Sequence, residues 1–127
     1  MDKQSVSTKN APSALGPYSQ AIIVGEFVFT SGQLGIDPVT NKLKEGLHDQ
    51  AVQAIQNLKT ILDEAGSSLT EVVKTTVFLQ DMNNFAEVNK IYGEYFEEPF
   101  PARSAIQIAK LPSAGLIEIE AVAVISK

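Results

Sequence analysis

The sequence predicts an α+β fold in which one sheet carries two helices on a single face. Strand-like runs rich in β-branched, aromatic and aliphatic residues occur at 21–31, 71–80, 102–108 and 116–125. Between them, apolar residues switch to helical spacing twice, over 47–65 and over 85–96. No linker, internal repeat or low-complexity segment interrupts the 127 residues, so 1–127 reads as one domain large enough to bury a core.

Residues 1–20 are polar, and Pro12, Gly16 and Pro17 mark them as loop. The run AIIVGEFVFTS at 21–31 reads as a strand, bent or folded into a pair around Gly25 and Glu26. TSGQLG follows and ends in a turn near Asp37-Pro38 and Asn41. From Leu47 onward, Ala51, Ala54, Ile55, Leu58, Ile61, Leu62 and Ala65 recur at helical spacing, with Asp49, Gln53, Gln56, Lys59 and Asp63 left outside. Gly66 is placed to stop that helix. EVVKTTVFLQ at 71–80 is apolar on both faces, as a central strand is. Asn84 followed by Glu87 reads as a capping box for a second helix that turns Phe85, Val88, Tyr92, Tyr95 and Phe96 inward. Pro99 and Pro101 bar its continuation. Two strand-like runs, joined by a short segment with Pro112 and Gly115, complete the chain.

Composition narrows the function. A net charge of −5 argues against a surface built for phosphate backbones. No apolar run approaches the ~20 residues of a membrane span. The start, MDKQSVSTKN, lacks the apolar centre of a signal peptide, so a cytoplasmic location is the expectation. Without cysteine there is no disulfide, thiolate nucleophile or Cys-based zinc site. The lone His48 opens a helix, reads as a solvated surface residue and has no carboxylate cluster at ligand spacing, so no metal site is expected.

The last two strands hold the chemistry. Ile117, Ile119, Ala121, Ala123 and Ile125 form one fully apolar face, while Leu116, Glu118, Glu120, Val122 and Val124 form the other. Two carboxylates among apolar residues suggest a face that is covered rather than solvated. Helices on one side leave this face bare in a monomer, and self-association through the sheet would cover it. In the preceding strand Arg103, Ala105 and Gln107 share a face. Arg103 has two readings. It pairs with Glu120 across a hairpin, or its planar fork binds a ligand carboxylate bidentately. Glu118 and Glu120 lie ~6.6 Å apart by strand rise, close enough for mutual repulsion to raise at least one pKa.

Four stretches together, NAPSALGPYSQ, FTSGQ, VKTTVFLQDMNNFAEVNKIYGEYF and FPARSAIQIAKLPSAGLIEIEAVAV, resemble the Rid family, also called YjgF or reactive intermediate deaminase A. The resemblance implies a chorismate-mutase-like α+β fold assembled as a homotrimer, with sheets inward, helices outward and ligand clefts between subunits. It also implies cofactor-independent hydrolysis of reactive 2-imino or enamino acids, such as 2-iminobutanoate and 2-iminopropanoate, to 2-keto acids and ammonia. Carried over residue by residue, the family's carboxylate-binding arginine matches Arg103 and its water-positioning glutamate matches Glu118. Its cleft tyrosine matches Tyr18, its serine and glycine match Ser31 and Gly32, and its helix asparagine matches Asn89. Many members have cysteine in PARSC where this chain has Ala105, which removes a thiol but leaves the backbone carbonyl.

Plainer readings stand beside these. Tyr18 is equally a packing anchor, Ser31 and Gly32 are equally a turn, and Asn89 is equally a buried amide bonded to backbone. The resemblance favours Glu118 for proton transfer and Glu120 for structure. An alternative to catalysis is a ligand-sensing or regulatory module that holds 2-keto or amino acids in the same cleft. A ribonuclease reading, attributed to some relatives, fits poorly with the acidic charge and the lack of an aromatic–basic groove.

Overall fold

The computed structural model describes residues 2–125 of the chain. Its strands are β1 (Lys3–Val6), β2 (Ala21–Val24), β3 (Phe27–Thr30), β4 (Gln33–Leu34), β5 (Val72–Leu79), β6 (Ala102–Gln107) and β7 (Ile117–Val124). Two helices, α1 (Leu47–Glu64) and α2 (Phe85–Tyr95), lie between β4 and β6 in sequence, with β5 separating them. The strands form one mixed sheet in the order β1-β2-β3-β7-β5-β6, with β4 also paired to β7. The expected α+β class with two helices is therefore what the chain adopts.

Alternation along β7 organises the layers. Ile117, Ile119, Ala121 and Ala123 are buried beneath α1, and the residues between them are half-buried. α1 supplies Ala51, Ala54, Ile55, Leu58, Ile61 and Leu62 to the same core. It ends as expected: Gly66 takes φ +86°, and the amides of Gly66 and Ser67 return to the carbonyls of Asp63 and Leu62 at 3.1 and 2.8 Å. α2 packs against α1 and reaches the sheet through Tyr92, whose hydroxyl meets Thr75 Oγ1 of β5 at 2.8 Å.

Four expectations need correction. β6 and β7 do not form a hairpin, because β5 lies between them, parallel to β6 and antiparallel to β7. No capping box forms at Asn84. That residue has φ −87° and ψ 1° and already belongs to the short turn Met82–Asn84, so it lacks the extended backbone a side-chain cap needs. Asp81 caps that turn instead, accepting from the Asn83 amide at 2.9 Å. Asn89 is exposed rather than inward on its helix. Residues 3–6 form β1, an edge strand in which Lys3, Gln4 and Ser5 are exposed and carry no strand signature while Val6 is buried.

The face away from the helices is apolar and open. Phe27, Phe29 and Ile106 are 44–47% exposed, beside half-buried Leu116, Val122 and Val124. Glu118 and Glu120 lie on this face, paired with Phe78 and Thr76.

Buried amides tie the loops to α1. Asn57, 1% exposed, donates to the carbonyls of Leu34 and Ile36 at 3.2 and 2.9 Å and accepts from Gln53 at 2.8 Å. Gln50 donates to Lys44 O and accepts from the Leu116 amide. Replacing Asn57 with leucine strips two carbonyls of a buried donor at once. Asn57→Leu should lower unfolding stability by about 2–4 kcal/mol, measured by chemical denaturation.

Candidate functional site

The strand formed by β3 and β4 is interrupted where it matters. Phe29 opposes Val122 and Gln33 opposes Ile119, so four steps on one strand span three on β7. The extra residue is a β-bulge at Thr30–Gly32. Thr30 Oγ1 accepts from the Ala121 amide at 3.0 Å, holding the strand to β7 through a side chain. The Ser31 amide donates to Gln20 O at 2.9 Å, and its hydroxyl donates to Ser19 O. Gly32 is left against Glu118: a Cβ there would lie 2.9 Å from Glu118 Cγ and closer still to its carboxyl. Only glycine allows that approach.

The loop before the bulge is built on Gln20, 4% exposed. Its side chain accepts from the Thr8 amide at 2.7 Å and donates to Thr8 O and Pro12 O at 3.1 and 2.8 Å. This pins residues 8–20 against the sheet and leaves Tyr18 54% exposed at the loop's tip. Tyr18, Gln20, Gly32, Gln33 and Leu34 line a shallow cleft of about 210 Å³. Glu118 is half-buried beside it. Burial, reinforced by the neighbouring charge of Glu120, raises its pKa above the ordinary carboxylate value.

A second cleft, of about 430 Å³, lies at the β6 edge and is lined by Asn89, Tyr92, Gly93, Phe100, Pro101 and Arg103. Arg103 Nη1 donates to Asn89 Oδ1 at 2.7 Å. Its guanidinium carbon lies 5.1 Å from the Phe85 ring centre and 4.9 Å from that of Tyr92. Ala105 is half-buried two residues further on, on the same strand face. Burial raises the pKa of the Tyr92 phenol, opposed by its bond to Thr75 and by the Arg103 charge.

The predicted residues thus fall into two groups. Tyr18, Ser31, Gly32 and Glu118 gather at the bulge, and Asn89, Arg103 and Ala105 gather at the β6 edge. Arg103 pairs with Thr75, which pairs with Ala121 on the helix side, whereas Glu118 pairs with Phe78 on the open side. One chain therefore holds the two groups on opposite faces of its sheet. The hairpin ion pair between Arg103 and Glu120 does not form, since the strands are not neighbours. His48 is exposed at the start of α1, next to Asp49. Among the described residues no three His, Cys, Asp or Glu side chains converge as metal ligands. The sequence reading missed the structural part of Gln20 and treated Phe85 and Tyr92 as core alone. The spacing of Phe85, Asn89 and Tyr92 at i, i+4 and i+7 was the available signal that they share one stripe.

Comparison with known proteins gives the family. Residues 8–125 match the family model described as Endoribonuclease L-PSP. A RutC family protein of Pyrococcus abyssi is 50% identical over 124 residues, covering 97% of this chain and 98% of its own. Human 2-iminobutanoate/2-iminopropanoate deaminase is 51% identical over 120 residues, covering 94% and 88% of the two chains. The crystal structure of Escherichia coli TdcF with bound serine superposes with a TM-score of 0.92 at 41% identity, covering 97% of this chain and 99% of that one. With the whole fold and half of all residues shared, this chain belongs to the Rid (YjgF) family, the group that includes these imine deaminases.

Proposed function

We propose that this protein hydrolyses 2-imino acids, with 2-iminobutanoate and 2-iminopropanoate as substrates, to 2-keto acids and ammonia in clefts formed between the subunits of a homotrimer. One observation carries the reading: a cation lining the β6-edge cleft and a carboxyl with a raised pKa beside the bulge cleft lie on opposite faces of one sheet. Stacking the open face of one copy against the edge of the next joins the bulge group of one subunit to the Arg103 group of its neighbour. The apolar open face with Phe27, Phe29 and Ile106 supplies the driving force for that contact. The relatives agree in kind, since several are named imine deaminases and one solved neighbour holds serine, a small amino acid with a carboxylate.

In this reading Arg103 grips the substrate carboxylate with its planar fork, oriented by Asn89. Gly32 and Ser31 present backbone to the ligand, and Tyr18 closes the cleft. Glu118 positions a water molecule against the imine carbon. As the water oxygen bonds to the carbon of the protonated imine, Glu118 takes one of the water's protons and the C=N electron pair settles on nitrogen, which becomes a neutral amine. Glu118 then returns its proton to the nitrogen. The C–N bond breaks, ammonia leaves, and loss of the remaining hydroxyl proton gives the ketone. Imines hydrolyse readily, so orientation and one proton carrier with a raised pKa suffice. Ala105 contributes its backbone, and the reaction needs neither a thiol nor a cofactor.

The assay that tests this couples the protein to a threonine dehydratase and follows 2-keto acid release. Faster release is the expected outcome, whereas binding of 2-ketobutanoate without acceleration would make the protein a sensor. Arg103→Lys keeps the charge but loses the fork, so both turnover and 2-ketobutanoate binding should fall. Glu118→Gln should bind normally yet lose ~10²-fold or more in rate. Refolding these two inactive variants together tests the shared cleft. If each site draws Arg103 and Glu118 from different subunits, about a quarter of the sites in mixed trimers are intact and activity returns. A cleft within one chain would give no recovery, and a monomer near 13.7 kDa by light scattering would sink the assembly.

The raised pKa of Glu118 also sets a pH dependence. The folded state holds this proton more tightly than the unfolded chain, so stability falls as pH rises from the ordinary value of 4.5 through the raised one. Glu118→Gln removes that charge. Its melting temperature should exceed the parent's at pH 8, with the gap closing toward pH 4.5.

A further inference from the structure

Arg103 is held in place without being neutralised. Phe85, Asn89 and Tyr92 line one stripe of α2, and all three touch its guanidinium. The two rings flank it at 5.1 and 4.9 Å, and the neutral Asn89 amide takes one N–H. Tyr92 is itself fixed, by its bond to buried Thr75 and by stacking on Phe96 at 4.3 Å between ring centres. Among the described residues the ion pairs are Lys44–Asp37 and Lys59–Asp63, His48 bonds to Asp49, and Arg103 takes part in none of these contacts. An arginine that ends on a carboxylate has its charge largely cancelled for any other anion. Ring faces order the long side chain and leave the positive charge and the other N–H donors available at the cleft.

We propose that Phe85 and Tyr92 are positioning residues whose rings pre-set the Arg103 guanidinium, so that its fork meets a carboxylate ligand in one geometry. This rests on the carboxylate-binding reading of Arg103 and deepens it. Ordering the side chain beforehand removes an entropic penalty that binding would otherwise bear. The effect belongs to ligand affinity, because the rings act on the ligand through Arg103.

Titration calorimetry of the assembled, full-length protein with 2-ketobutanoate separates position from fold, since it reads affinity and the number of working sites independently. Phe85→Leu should raise Kd about three- to tenfold with the site number unchanged. Phe85→Met, which keeps bulk without a π face, should behave alike and serves if the leucine variant folds poorly. Phe85→Tyr retains a ring at this position and should stay within about twofold of the parent. An unchanged Kd in both ring-less variants overturns the proposal, as does a fall in site number at constant Kd, which would mean damage to the fold. Arg103→Lys is the control. If it too leaves Kd unchanged, the carboxylate reading itself fails, and if it alone weakens binding, only the positioning role of the rings fails.

Discussion

The alternation of side chains along β7 is the constraint on which the rest of the structure depends. This strand is paired on both edges, by β3 and β4 on one side and by β5 on the other, so it cannot shift register without breaking two ladders. A one-residue slip would send Ile117, Ile119, Ala121 and Ala123 to the open face and bring Glu118 and Glu120 beneath α1. Burying two carboxylates in that core without partners is prohibitive, so the hydrophobic requirement of one face places the acids on the other. The position of Glu118 is a by-product of core packing. Its raised pKa follows from where that packing leaves it, half-buried beside a second acid.

The side chains at the two clefts are held in place by different means. At the bulge, the backbone is bent out of the ladder and anchored by side chains: Thr30 holds one strand to the other, and Gln20 holds the preceding loop. Gly32 then comes closer to Glu118 than any side chain would permit. At the β6 edge no backbone irregularity is needed. Arg103 stands on a regular strand, and the helix above supplies two aromatic faces and an amide. Backbone placement is rigid and suits a proton carrier that must address one atom. A long cation held by ring faces keeps its charge and suits recognition of an anion.

The open apolar face surrounds the half-buried carboxyl of Glu118. The residues that a single chain leaves exposed, Phe27, Phe29 and Ile106, lie on the same side as Glu118. Association through that face would dry the carboxyl further, pushing its pKa in the direction that burial already does.

The sequence by itself determined most of the elements and the chemistry of the residues. Helical spacing from Leu47 to Ala65, the Gly66 stop, the apolar face of β7 and the two carboxylates opposite it were all legible, because each is a local pattern that burial enforces. Motifs around Tyr18, Ser31, Gly32, Arg103 and Glu118 pointed to the family that the comparisons confirm. Tertiary structure alone decided how these parts meet. Strand order is non-local, so nothing between residues 102 and 124 reveals that β5 inserts between β6 and β7 and removes the expected hairpin. A bulge is a mismatch between two strands and cannot be read from one. The separation of Arg103 from Glu118 follows from both, because the side of a sheet on which a residue stands is set by its partners' register as well as by its own place in the chain.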